Sequence, residues 1–182
     1  MSSFPGYFPG LPGVRCDRFT DARLEGTGAV VGQETGERFF LSHCHEDHML
    51  GLAHLGPFLD LHWPEAESTL QTKRRLHCTR TSATFVVDLF KERGLNWNHF
   101  SVIYENSPEI IRIEKVAEPY SLRVTAMDAN HIPGSVMFLF EKLGVDGQVE
   151  LRILYTGDFR SVWSTLIGRG MSRLVSHWSR AL

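Results

Sequence analysis

The segment FLSHCHEDHMLGL, residues 40–52, places three histidines, an aspartate, a glutamate and a cysteine in the six consecutive positions 43–48, directly after an apolar run. The polar atoms of His43, His45, Asp47 and His48 are costly to bury unless something compensates them, so a fold that sets them behind a buried strand must bring them a counter-charge. On an extended segment His43 and His45 point to the same side, and a turn just after them directs Asp47 and His48 at a second point nearby. Imidazole and carboxylate together suit zinc or a similar divalent ion, one or two in number, with magnesium or manganese as alternatives for activity. Two adjacent ions activate water and stabilise the entering and leaving oxygens of a displacement, so the chemistry implied is hydrolysis. The strand alternation turns Cys44 and Glu46 away, the first as a structural thiol and the second toward solvent. His54, His62, His77, His99 and His177 stand singly and read as surface or satisfied core residues.

Around this array the chain reads as a mixture of short strands and helices. Residues 1–13 hold several Gly and Pro among aromatics and predict an irregular arm, with the fold starting near Val14. The stretch GAVVGQETGERFFLSH predicts a hairpin whose second strand, Arg38–Leu41, delivers the histidines. HMLGLAHLG predicts a helix stopped at Gly56-Pro57, and residues 57–75 an exposed connection ending on the basic run 73–75. TSATFVVDLFKERG predicts a helix capped by Thr81 or Ser82, burying Phe85, Val86, Leu89 and Phe90, and ended by Gly94. From Ser101 onward five β-rich runs follow: FSVIYE, EIIRIEK, YSLRVTAMDA, SVMFLFEK and VELRILYTGD. The third leads into His131 and the last into Asp158, so three strand ends can meet at one sheet edge. Pro133 and Gly134 read as turn residues.

Composition narrows the classes. A length of 182 residues with 42% hydrophobic content supports one core, and a formal charge of −2 gives no global field for nucleic acid or an anionic membrane. Three cysteines predict no disulfide framework, and no apolar run reaches spanning length, which excludes a helical membrane anchor and predicts a soluble cytosolic or nuclear chain. Lys73, Arg74 and Arg75 with Arg80 are either phosphate contacts or a solvated face. Trp63 and Trp97 are either base-stacking groups or buried packing, the latter being the simpler expectation.

FLSHCHEDHMLGL, DANHIPGSVMFLFE (128–141) and ILYTGDFR (153–160) together resemble the metallo-β-lactamase superfamily and, within it, the β-CASP nucleases of the DNA-repair type. The histidine array alone reaches only the superfamily, whose other members act on thioesters, lactams or RNA. The likeness runs from about Cys16 to Arg160, with Ile132 standing where the family commonly has cysteine. It implies a layered α/β (α+β) fold, the αββα sandwich, of which residues 14–160 are an incomplete N-terminal part. It implies that His43, His45 and His131 hold one metal, that Asp47 and His48 serve a second, that Asp158 bridges both, and that Asp17 supports the metal loop without being a principal ligand. Asp47 and Asp158 would be the catalytic carboxylates, Asp47 also orienting the nucleophile or relaying its proton. The family further implies a 5′-phosphate pocket, 5′ to 3′ exonuclease and hairpin or overhang endonuclease action, DNA as partner in double-strand break or cross-link repair, the DNA-dependent protein kinase as a further partner, and a nuclear location.

After Arg160 the likeness stops. Residues 161–182 read as a divergent tail, and neither the β-CASP domain nor the later histidine that completes the second metal site is found. The expectation is an incomplete or alternatively spliced nuclease. Two other readings stay open: a non-catalytic fragment that binds metal or a partner, and another hydrolase of the superfamily acting on a thioester or RNA.

Overall fold

The computed structural model describes residues 4–20, 38–60, 75–113 and 118–160. Strands β1 (Val14–Cys16), β2 (Arg38–Phe40), β3 (Leu76–Cys78) and β4 (Phe100–Val102) form a parallel sheet in that order. Strands β5 (Glu109–Ile113), β6 (Tyr120–Asp128), β7 (Val136–Leu143) and β8 (Val149–Tyr155) form an antiparallel sheet, also in chain order. Helices α1 (Leu55–Asp60) and α2 (Arg80–Phe90) follow β2 and β3.

Successive side chains on a strand point to opposite faces, and β2 uses both. Phe40 faces the antiparallel sheet, where its ring meets Phe138 and Phe140 edge-on at 5.5 and 5.0 Å, within a core shared with Val14, Cys16, Leu122 and Val124. Phe39 faces the helices, in a second core with Leu41, Leu52, Leu55, Leu76, Ala83 and Val86. The layers therefore run helices, parallel sheet, antiparallel sheet. Every residue of β2 and β3 is buried, as a parallel strand covered on both faces requires. β6 alternates instead, with Tyr120, Leu122, Val124 and Ala126 turned inward. On the other face Glu141 of β7 bonds its cross-strand neighbours Arg123 (2.7 Å) and Arg152 (2.8 Å), which hold its carboxyl below the usual range against the opposing effect of burial. This is the α+β layering expected of a partial metallo-β-lactamase-like domain. No helix among the described residues is long and apolar enough to cross a membrane, and all three cysteines are free thiols.

Several local expectations are corrected. β2 is parallel to both β1 and β3, so neither of its edges is left for a hairpin partner; the expected first hairpin strand falls in 21–37, outside the described residues. Helix α1 runs through Gly56-Pro57, because Pro57 sits in its first turn, where a backbone N–H has no helical acceptor to lose. The cap of α2 is Thr79, whose hydroxyl accepts from the Ser82 N–H, and the buried face is Ser82, Ala83 and Val86. Phe85 and Leu89 are exposed: the small residues at 82 and 83 let the helix approach the sheet closely, and the stripe they begin continues through Val87 and Phe90. Gly94 ends the following 3-10 turn at φ +84°, as predicted. The arm is irregular yet inside the fold, since Phe8 and Leu11 are buried and Gly6 accepts the Cys16 N–H. Trp97 is 45% exposed rather than buried, with the Arg80 guanidinium 6.0 Å from its ring centre. Arg75 donates to the carbonyls of Asn98 and Phe100, which ties it to the fold. Trp63, Lys73, Arg74 and the tail 161–182 lie outside the described residues.

His77 gives a stability test. It is buried, stacks on Phe40 at 4.9 Å, and its Nδ1 finds no hydrogen-bond partner among the described residues. Burial, with Arg38 and Arg75 adding positive potential, lowers its pKa to about 3. The unfolded chain, with a histidine near the usual ~6.5, binds the proton first, so stability is full above about pH 6.5 and falls as pH drops toward 3. Urea denaturation between neutral and mildly acid pH should show a loss approaching ~1.4 kcal/mol per pH unit from this group. His77→Phe should flatten that limb; equal slopes in the two proteins would show that His77 does not resist protonation in the fold.

Candidate metal centre

The candidate side chains gather where β2, β6 and β8 end. After β2 the chain stays extended through His45, then tightens into a 3-10 turn at Glu46–His48. This delivers the predicted switch: His43 and His45 before the turn, Asp47 and His48 on it. Cys44 points the other way, its Sγ 3.7 Å from the Ser82 carbonyl, and Glu46 is exposed.

His131 comes from the loop after β6. The Asn130 N–H donates to Asp128 Oδ1 (2.8 Å) with Asn130 at φ +51°, and the Ser135 hydroxyl accepts from the N–H groups of His131 (3.2 Å) and Ile132 (3.1 Å). Pro133-Gly134 makes the turn predicted for it. Gly134 sits at φ +82°, where an added Cβ would lie 2.8 Å from Thr81 Cβ, and its carbonyl lies 2.9 and 3.2 Å from the Thr79 and Ser82 hydroxyls that begin α2. The loop is thus pinned to the helix layer. Asp158 follows β8 through Gly157, whose φ of +51° and contact with Ser42 leave no room for a side chain. The Arg160 N–H donates to the Ala129 carbonyl (3.0 Å), closing this segment onto the His131 loop.

The ligand atoms converge. His45 Nδ1 lies 3.1 Å from His43 Nε2 and 3.1 Å from His131 Nε2. Asp158 Oδ2 lies 3.9, 4.0 and 3.5 Å from the facing nitrogens of His43, His45 and His131, and all four donor atoms fall within 4.8 Å of one another. Three nitrogens sharing one tetrahedral ion at zinc–nitrogen distances stand about 3.4 Å apart, so the spacing fits such a group. Asp158 Oδ1 points to the other side, 3.5 Å from His48 Nε2. That nitrogen is buried and has no hydrogen-bond partner among the described residues.

Behind the ligands stands Asp17, buried and held at φ +56°, a conformation aspartate tolerates better than most residues. Its Oδ1 accepts the Ser42 N–H (2.7 Å); its Oδ2 accepts the Ser42 hydroxyl, His48 Nδ1–H (2.7 Å) and the Tyr155 hydroxyl (2.8 Å). A carboxylate only accepts, so His48 carries a proton on Nδ1, and in the neutral ring Nε2 presents a lone pair toward Asp158. In that neutral form the pair is repulsive unless a metal ion, or a second proton on the ring, lies between them. The Ser42 hydroxyl, having given its hydrogen to Asp17, accepts from His43 Nδ1 at 3.0 Å, which leaves His43 Nε2 free toward the cluster. Burial, reinforced by His48, lowers the His43 pKa to about 4 and keeps the ring neutral. For His48 burial is outweighed by the hydrogen bond and charge of Asp17, and its pKa is raised. Asp17, His43 and His48 also lie close enough to form a donor group, but the four hydrogen bonds on Asp17 occupy its oxygens and mark it as a support.

Every candidate read from the sequence except Asp47 enters one of these two groups. Asp47 stands half-buried on the turn beside His48 and its charge helps raise the His48 pKa. Ser42, Ser135 and Tyr155 were not foreseen, although Ser42 and Tyr155 lie inside segments that mark the site.

No family model matches the chain. It is similar to Artemis of Danio rerio, 36% identical over 163 residues that cover 88% of this chain and 22% of that protein. It is similar to Artemis of Homo sapiens, 34% identical over 161 residues, 88% of this chain and 20% of that protein. It is similar to the 5′ exonuclease Apollo of Rattus norvegicus, 33% identical over 132 residues, 72% of this chain and 20% of that protein. These likenesses bear out the resemblance read from the motifs, which together with MSSF at the start and Asp17–Phe19 point to Artemis first and Apollo next. The chain spans about a fifth of the length of the curated relatives it matches.

Asp17→Asn tests the support. Asparagine keeps the tolerance for positive φ but opposes donors with an NH₂ group, so it should cost about 2–3 kcal/mol in urea denaturation at neutral pH. A cost below about 0.5 kcal/mol, the range of an indifferent site, would show that the four hydrogen bonds do not act together.

Proposed function

We infer that this chain, a relative of the Artemis and Apollo proteins, is part of a metal-dependent DNA nuclease that hydrolyses phosphodiesters in double-strand break or cross-link repair. The observation that carries this reading is the convergence of His43, His45, His131 and Asp158 on one point, from segments that the motifs tie to that family. The name of the Apollo relative supports 5′ exonuclease action in particular. The reading extends to hairpin and overhang cleavage, to 5′-phosphorylated DNA ends as substrate, to the nucleus as location and to the DNA-dependent protein kinase as partner.

His43, His45, His131 and Asp158 would hold one zinc ion, and His48, with Asp47 and the second oxygen of Asp158, would serve a neighbouring one; magnesium or manganese are the alternatives. Bound there, such ions supply Lewis-acid polarisation of the phosphate and a lowered pKa for water. The protein's own part is to aim the imidazoles, through Asp17 and Ser42. Asp47 orients the attacking water and accepts its proton as the oxygen–phosphorus bond forms in line and the bond to the leaving nucleotide oxygen breaks. No covalent enzyme intermediate is needed.

The purified chain, supplied with zinc or magnesium, should shorten 5′-phosphorylated single-stranded DNA, and Asp158→Asn or Asp47→Ala should lower the rate at least ~100-fold, as loss of a group at the reacting centre does. Zinc titrated against a chromophoric chelator should bind, and His131→Ala should weaken it. Zinc binding without cleavage would assign the chain a metal-holding role that does not include cutting. Robust turnover of a thioester in its place would sink the DNA assignment.

A further inference from the structure

We propose that Tyr155 and Ser42 are positioning residues that act through Asp17 to set the tautomers of His48 and His43. The inference rests on the metal reading for its purpose but not for its geometry. Asp17 follows β1 in the parallel sheet, while Tyr155 ends β8 in the antiparallel sheet, so their 2.8 Å hydrogen bond joins the two layers at the edge that carries the ligands. The Tyr155 hydroxyl supplies one of three donors to Asp17 Oδ2, the oxygen that also receives His48 Nδ1.

The aromatic arm holds that hydroxyl in place. The Tyr155 ring packs against Phe4 at 5.0 Å and Phe8 at 5.6 Å, with Phe8 in turn on Phe140 at 5.3 Å. With the ring fixed and Asp17 the acceptor at its tip, the phenol cannot turn away without losing both contacts. Ser42 constrains the carboxylate from the other side. Its N–H and hydroxyl bind both Asp17 oxygens, and its own oxygen takes the His43 Nδ1 proton. Both hydroxyls thus bear on His48, through the Asp17 oxygen that holds it, and Ser42 alone also reaches His43. Hydrogen-bond partners of this kind fix ring orientation and raise the basicity of a ligating nitrogen, and their loss costs about 10–100-fold in metal affinity.

Because only Ser42 also contacts His43, the two hydroxyls can be told apart at that ring. Long-range ¹H–¹⁵N spectra of the metal-free chain at alkaline pH report each imidazole's tautomer. In the wild type both His43 and His48 should carry the proton on Nδ1. Ser42→Ala should scramble His43, and Tyr155→Phe, which keeps the ring on Phe4 and Phe8, should shift the His48 signals. Each substitution should raise the zinc dissociation constant about 10-fold by chelator competition. Protons on Nε2 in the wild type, or unchanged tautomers and zinc affinity in both variants, would overturn the proposal. Loss of stability in either variant with tautomers and affinity intact would likewise reduce these hydroxyls to packing and overturn it. A wild-type chain with the expected tautomers that binds no zinc would refute the metal reading and leave this assignment supported.

Discussion

The Asp17 carboxylate is the interaction on which the rest of the site depends. It is buried, its two oxygens receive four hydrogen bonds, and the donors come from the ends of β2 and β8 and from the turn that carries His48. An ionised group in that position is tolerable only because every donor is in place. Its consequence is directional: because the carboxylate accepts, the histidines around it must present their other nitrogens outward. Polar satisfaction of the interior and exposure of ligand lone pairs are the same arrangement seen from two sides.

The layers explain why the candidate ligands meet. Parallel β2 is buried on both faces, so the chain emerges from it at a sheet edge, and the polar residues that follow cannot be absorbed into the core. β6 and β8 reach the same edge from the second sheet, separated by β7, whose first residue Val136 donates to the Ser42 carbonyl at 2.9 Å. Two cores meeting at Phe39 and Phe40 hold these layers in register. An ion bound by His43, His131 and Asp158 would link segments from both sheets, so binding and folding would be coupled.

The clustering of the candidate residues was legible because their spacing follows local rules. Alternation on an extended strand sets His43 and His45 on one side, and a turn reverses the sense for His48; the strands leading to His131 and Asp158 announce themselves by β-rich runs bounded by Gly, Pro and Asn. What was not legible depends on partners distant in sequence. The parallel pairing of β2 replaced the expected hairpin because β1 and β3 took its edges. The buried stripe of α2 was misplaced because the small Ser82 and Ala83, not the larger Phe85 and Leu89, permit close approach. Ser42 and Tyr155 carry ordinary hydroxyls, and only the fold brings both to Asp17. The arm before Val14 read as irregular and outside the fold by its Gly and Pro content, yet Phe8 and Leu11 are core residues whose burial that composition does not reveal.

Cys44 sits between two candidate ligand histidines, where a reactive thiol would be a liability. Its side chain is instead turned to the Ser82 carbonyl, and burial raises its pKa. A thiol so protonated is a slow nucleophile toward peroxide, disulfides and alkylating agents. Cys44 thus stands among the clustered histidines as an unactivated thiol.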